Sequence, residues 1–295
     1  MQIVFHTGAH LTDEDRLIKC LQRNREMLEK HDVNVPGLAA YRKWIRSAFG
    51  ENESSNISAM VSKEVYESVV GRSGANRHII SNPGFFGTEK MSFRNGQFYR
   101  MAEHRIDAMS KLFPSAQLEM FMSIRNPASF LPTIYYKYFD LTGQKRLYEN
   151  MLTSVRWSDF FMRIHQAFPD IPITVWCNED TPVIWGKILQ TFANINASIE
   201  FEGQFTLLND ILSEVGLEQF QSFMQNHKGL SEEQKQQVII AFIEKFGREE
   251  ALEQEIDLPN WNDELTDAMT ETYEDDLERL AHIPNLNVIL PDPMQ

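Results

Sequence analysis

Short uninterrupted apolar runs alternate, over the first two-thirds of the chain, with stretches in which apolar residues recur every three to four positions. The runs are Ile3-Val4-Phe5, Arg77 to Ser81, Leu118 to Ile124 and Ile173 to Cys177. Runs this apolar predict strands covered on both faces. The periodic stretches predict helices. The first starts at an N-cap of Thr12 or Asp13 and carries Leu17, Cys20, Leu21, Met27 and Leu28 on one face. Others are expected over Tyr41 to Phe49, Phe98 to Phe113, Phe130 to Phe139 with Pro132 in its first turn, Trp157 to Phe168, and Val183 to Phe192. Strands and helices alternating at this rhythm indicate parallel βαβ units, so the fold class read here is α/β, a parallel sheet flanked by helices.

The last third changes character. Thr206 to Gln225, Ser231 to Phe246 and Asp263 to Ala281 read as helices, the second opened by a Ser231…Gln234 capping box, and Leu286 to Leu290 as a short terminal strand. Val33 to Gly37 reads as a turn, Glu51 to Ser58 as a polar loop, and Asn82-Pro83-Gly84 as a strand breaker. The acids between Glu249 and Glu278 read as a solvated helical face. The expected organisation is one domain over 1–295, with 205–282 as a helical extension within it.

Composition narrows the function classes. A net charge of -14 opposes general binding to nucleic acid or an anionic membrane, so any anionic ligand must be held by a few particular cations. Two cysteines, Cys20 and Cys177, make neither a disulfide framework nor a zinc site, and suit a reducing compartment. With no apolar run of signal or membrane-spanning length, the expected address is the cytoplasm. H-E-x-x-H, C-x-x-C, G-x-S-x-G and G-x-x-x-x-G-K-[ST] are absent from the sequence, and no metal is expected.

Candidate chemistry gathers after two strands. The first gives way to His6-Thr7-Gly8-Ala9-His10, a tight turn feeding a helix, where backbone N–H groups point at the carboxyl edge of the sheet. The Leu118 to Ile124 strand runs into Arg125-Asn126-Pro127, with Thr133 and Tyr135 following. A strand-end Arg offers a planar fork for phosphate, and a hydroxyl two helical turns on can donate to the same group. The alternative is an Arg that binds a neighbouring carbonyl or acid.

This second constellation resembles the 3′-phosphate motif R-[DN]-P-x-x-x-x-x-S-x-[YF] of the sulfotransferase family, with Thr133 for Ser. The opening resembles the same family's H-x-G-A-H-K-T-G-T-T-S-L, matched by His6, Gly8, Ala9, His10, Thr12 and Leu17. The resemblance spans roughly residues 1–200 and is specific mainly at Arg125. It implies a P-loop NTPase-like sulfotransferase fold that binds 3′-phosphoadenosine 5′-phosphosulfate (PAPS) or its product adenosine 3′,5′-bisphosphate (PAP). Arg125 and Thr133 would then meet the 3′-phosphate, and Thr7, Gly8, Ala9, His10, Thr12 and Arg16 the 5′ end. A small-molecule or glycan hydroxyl would be the acceptor, with His10, Glu89 or His104 as its base.

The phosphosulfate loop departs from that pattern. Leu11 stands where the family has Lys, and Asp13, Glu14, Asp15 and Arg16 stand where it has Gly-Thr-Thr-Ser. Three carboxylates occupy the electropositive end of a helix that an anion would use. Two readings therefore arise: a PAPS-dependent sulfotransferase, and a catalytically inactive binding protein that keeps the fold, with or without the 3′-phosphate site.

Overall fold

The computed structural model describes residues 1–12, 14–49, 57–71, 73–138, 152–252 and 261–293. Asp13, Phe139, most of the Glu51 to Ser58 loop and the acids Glu253, Glu255 and Asp257 lie outside them. Six strands form one sheet: β1 (Gln2–His6), β2 (Val33–Asn34), β3 (Arg77–Ser81), β6 (Gln117–Ile124), β7 (Ile173–Cys177) and β8 (Leu286–Ile289). Their order is β2-β3-β1-β6-β7-β8, and every pairing is parallel. A separate two-stranded hairpin joins β4 (Phe93–Arg94) and β5 (Gln97–Phe98).

The helices are α1 (Arg16–Arg23), α2 (Arg25–Lys30), α3 (Leu38–Phe49), α4 (Ala59–Val69), α5 (Ala102–Leu112) and α6 (Pro127–Tyr138). They continue with α7 (Trp157–Ala167), α8 (Thr181–Ala193), α9 (Glu214–Asn226), α10 (Glu232–Phe246), α11 (Glu249–Leu252) and α12 (Asp263–Leu280).

Strand alternation divides the interior in two. Ile3, Phe5, Ile80, Met120, Met122 and Ile124 face a core shared with α3 to α7 and α12. Val4, Ile79, Phe121, Trp176 and Ile289 face the opposite core, closed by α1 and α8. Both faces are covered, which explains the apolar runs. In the C-terminal part, Phe220 of α9 and Ile239 of α10 make a satellite cluster with Leu208 and Leu212, while Leu265, Met269 and Tyr273 of α12 join the first core. No described helix is long and apolar enough to cross a membrane.

Several elements differ from expectation. The first helix begins at Arg16 and breaks at Asn24, whose amide donates to the carbonyls of Cys20 and Glu202 and accepts from the Glu202 N–H. Phe98 ends a hairpin instead of opening a helix, because Asn95 and Gly96 take positive φ of 53° and 77°. Pro127 opens α6, so Pro132 lies inside that helix. Thr206 to Gln225 is a 3₁₀ turn over Thr206–Asp210 followed by α9, which Ser213 caps. Val33–Asn34 pairs with β3 instead of forming a turn, and α4, which the reading omitted, is capped by Ser58.

Candidate functional site

The carboxyl ends of β1, β3, β6 and β7 share one edge, and the connections after β1 and β6 run toward opposite ends of the sheet. Crevices of open α/β sheets form at such switch points. The loop after β1 stays tied to β6: the Thr7 N–H donates to the Phe121 carbonyl at 3.0 Å and the Ala9 N–H to the Ser123 carbonyl at 2.8 Å. Gly8 between them has φ of 54°, a conformation that disfavours other residues even though space exists for a Cβ. Thr12 turns its hydroxyl back onto the Ala9 carbonyl at 2.6 Å. Leu11, Glu14 and Asp15 also take positive φ, a strained run for residues with side chains.

Asp15 does not cap α1. Its carboxylate accepts two hydrogen bonds from the Arg42 guanidinium, at 2.8 and 2.5 Å, and Arg42 Nε donates to the Ser81 carbonyl at 3.0 Å. The Arg42 hydrogen bonds hold the Asp15 carboxyl below its ordinary pKa. The loop after β1 and the end of β3 are thus joined through α3. Arg16, in contrast, reaches outward to Asp210 at 2.7 Å, and both side chains are largely exposed.

The two histidines of the turn are engaged within the protein. His6 Nδ1 lies 3.0 Å from Ser81 Oγ, and its ring stacks on Trp176 and meets Phe192 edge-on. Burial pushes its pKa down to about 3. The His10 N–H donates to the Tyr99 hydroxyl at 3.0 Å, and His10 Nδ1 lies 3.0 Å from the same oxygen. The Tyr99 hydroxyl thus meets both the backbone and the ring of His10 through one oxygen. Burial lowers the His10 pKa to about 4, so the ring is neutral at pH 7.

Glu89 sits close enough to His10 for its charge to be felt there. Its Oε2 accepts from Lys137 Nζ at 2.7 Å and from the Tyr138 hydroxyl at 2.6 Å, while Oε1 is buried with no hydrogen-bond partner. Burial works to raise the Glu89 pKa, but those hydrogen bonds outweigh it and keep the group ionised. His104 is half-buried on the first turn of α5 and makes none of these bonds.

At the end of β6, Arg125 Nη1 donates to the Leu11 carbonyl at 3.0 Å and Nε to Ser129 Oγ at 3.0 Å. Thr133 donates to the Ser129 carbonyl at 2.9 Å. The guanidinium and the hydroxyl therefore converge on Ser129, which the motif reads as a variable position. The Asn126 N–H at the start of α6 donates to Glu179 Oε1 at 2.8 Å, so a carboxylate of the same chain takes a donor that a phosphate would use. Burial lowers the Arg125 pKa, against the opposing charge of Glu179. Asn126 also donates to Thr270 at 3.0 Å, binding the site to α12.

A cleft of about 150 Å³ opens beside these loops on the α1 and α8 face, edged by Thr12, Arg16, Asn178 and Thr181. Pockets for drug-sized ligands run from roughly 300 to 1,000 Å³, so a nucleotide does not fit it. Among the described residues, no three His, Cys, Asp or Glu side chains gather in a metal-binding group. Cys20 and Cys177 are buried free thiols, with pKa values raised by burial to about 11 and about 12. Comparison of the sequence with protein-family models and with curated proteins finds no match.

The residues present do not fit PAPS as they stand. Leu11 supplies no ammonium, Asp15 is engaged with Arg42, and Arg125 would have to release the Leu11 carbonyl to meet a 3′-phosphate. Of the residues expected at a donor site, Thr7, Gly8, Ala9, His10 and Thr12 form the β1 loop, Arg125 is joined to that loop, Thr133 lies further along α6, and Arg16 borders the adjacent cleft. Sequence reasoning missed Tyr99, Ser81, Ser129, Glu179 and Arg42 as their partners.

Proposed function

We propose that this chain is a sulfotransferase-like binding domain that does not transfer a sulfuryl group. It takes a small molecule at the carboxyl edge of its sheet. The observation that supports this most is the hydrogen bond from Arg125 Nη1 to the Leu11 carbonyl: the cation best placed for a phosphate instead ties the β1 loop to the end of β6. The Asp15 and Arg42 pair acts in the same sense at the start of α1. Displacing either contact would unpair partly buried polar groups for which a ligand must compensate.

A second reading is favoured by Glu89. Its unpartnered Oε1 would accept the proton of an acceptor hydroxyl as the new S–O bond forms and the bridging S–O bond of PAPS breaks, with PAP leaving. Calorimetry with PAP separates the two. The binding reading expects no heat and no thermal stabilisation, in wild type or in Arg125→Ala. Saturable PAP binding that Arg125→Ala abolishes would overturn it, and sulfate transfer from labelled PAPS to a small-molecule or glycan hydroxyl would establish the second.

A further inference from the structure

A larger groove, of about 670 Å³, runs along the edge strand β2 and shares no residue with the loops after β1 and β6. Its walls are α2, β2 with Pro36, the last turn of α4, and the Ser73 to Ala75 turn that leads into β3. That volume lies in the range of roughly 300 to 1,000 Å³ over which small-molecule pockets are found.

The last turn of α4 leaves acceptors there. Gly71 takes φ of 51°, and its N–H joins that of Val70 on the Tyr66 carbonyl, at 3.3 and 2.8 Å. The carbonyls of Glu67 and Ser68 are thereby left without an amide donor among the described residues, at the negative pole of the helix. Asn34 adds a third oxygen. It is 6% exposed, its Nδ2 donates to the Val69 carbonyl at 2.9 Å and lies 3.0 Å from His78 Nδ1, and its Oδ1 accepts no bond among the described residues. The Val69 carbonyl fixes which way the amide faces and seats it on the last turn of α4. Unlike His78 Nε2, Oδ1 keeps solvent access, so it is the polar end that Asn34 offers to the groove.

Charge narrows the class of ligand. The described charges along the groove are Arg25, Glu29, Asp32 and Glu67. Arg25 is bound to Glu29 at 2.9 Å. Asp32 accepts the Asn76 N–H at 3.0 Å, and neither it nor Glu67 pairs with a described cation. The groove thus presents three neutral oxygens and two uncompensated carboxylates, which suits a compact cation rich in N–H donors. A hard metal ion is served less well, because among the described residues no three acids gather to hold one.

We propose that this groove binds a small organic molecule through a primary ammonium group, with Asn34 Oδ1 and the end of α4 taking up its N–H groups and Asp32 and Glu67 balancing its charge. The inference stands independently of the Arg125 crevice.

The test uses putrescine as the probe, followed by calorimetry and by NMR of the isotope-labelled full chain at low salt. Wild type is expected to bind it saturably, and the Asn34 side-chain amide signals to shift along the same titration curve. The bis-trimethylammonium analogue, equal in charge but without N–H groups, is expected to bind at least about tenfold more weakly. That comparison separates the groove from general attraction to a chain of charge -14. Glu67→Gln and Asp32→Asn are each expected to weaken binding about threefold. Both keep the fold, since the Glu67 side chain is exposed, and asparagine adopts the φ of 64° at Asp32 and retains an acceptor for Asn76. Absence of saturable binding, an unmoved Asn34 amide, equal affinity for the analogue, or unchanged affinity in both variants would each overturn the proposal.

Discussion

Arg125 donates to the backbone carbonyl of Leu11 at 3.0 Å, across 114 residues of sequence. Leu11 holds φ of 63° and so presents that carbonyl from a left-handed loop position. A charged donor on an inward-turned carbonyl makes this contact a structural tie. Arg125→Ala is therefore expected to destabilise the protein by about 1–3 kcal/mol, measured as a lower denaturant midpoint at unchanged slope. Ser129→Ala, which removes the Nε partner and the hydroxyl's own bond to the Asn126 carbonyl, is expected to cost about 1 kcal/mol.

The Asp15 and Arg42 side chains are 24% and 22% exposed, and their two-point contact joins the loop after β1 to α3. The folded-state pKa of Asp15 is depressed, so its stabilisation is present above the ordinary carboxyl value of 3.8 and is lost as pH falls through the depressed one. Asp15→Asn is expected to lower stability by about 1 kcal/mol at pH 7. The gap from wild type should close on acidification, as followed by denaturation at a series of pH values.

His6 and His10 also cost stability in acid, over a higher pH range than Asp15. Burial lowers both pKa values, to about 3 and about 4, so below pH 6.5 the unfolded chain binds protons that the folded chain does not. Stability falls as pH drops from 6.5 toward 4. In histidine-edited NMR spectra neither ring should titrate between pH 8 and pH 5. A midpoint near 6.5 for either would contradict its described burial.

Asn24 separates α1 from α2 by binding Glu202 through both its donor and its acceptor. Asn24→Ala is expected to cost about 1–3 kcal/mol because the Glu202 backbone groups lose buried partners. Thermal unfolding of that variant checks the value.

The strands at the centre of the sheet were legible because both of their faces are covered, which leaves Ile3 to Phe5 and Leu118 to Ile124 without a polar alternation. The hairpin was legible in principle, since Asn95-Gly96 is a strong turn signal, but the apolar spacing from Phe98 onward suggested a helix. Likewise, Val61, Val65 and Val69 at fourfold spacing marked α4. The break at Asn24 was not legible, because its partner lies 178 residues away. At the site, the β1 turn and Arg125 could be found from residue type and position. What they touch could not: Tyr99, Ser81, Glu179 and Leu11 come together only through the sheet.

The most direct test of the closed crevice follows the N–H resonances of Thr7 to Thr12 and the Arg125 Nη–H signals while PAP is added. The account predicts that none of them shifts, because Arg125 remains on the Leu11 carbonyl. A saturable shift of the Arg125 Nη–H signals together with the Thr12 amide, which shares its peptide unit with the Leu11 carbonyl, would show that PAP displaces that bond, and would contradict it.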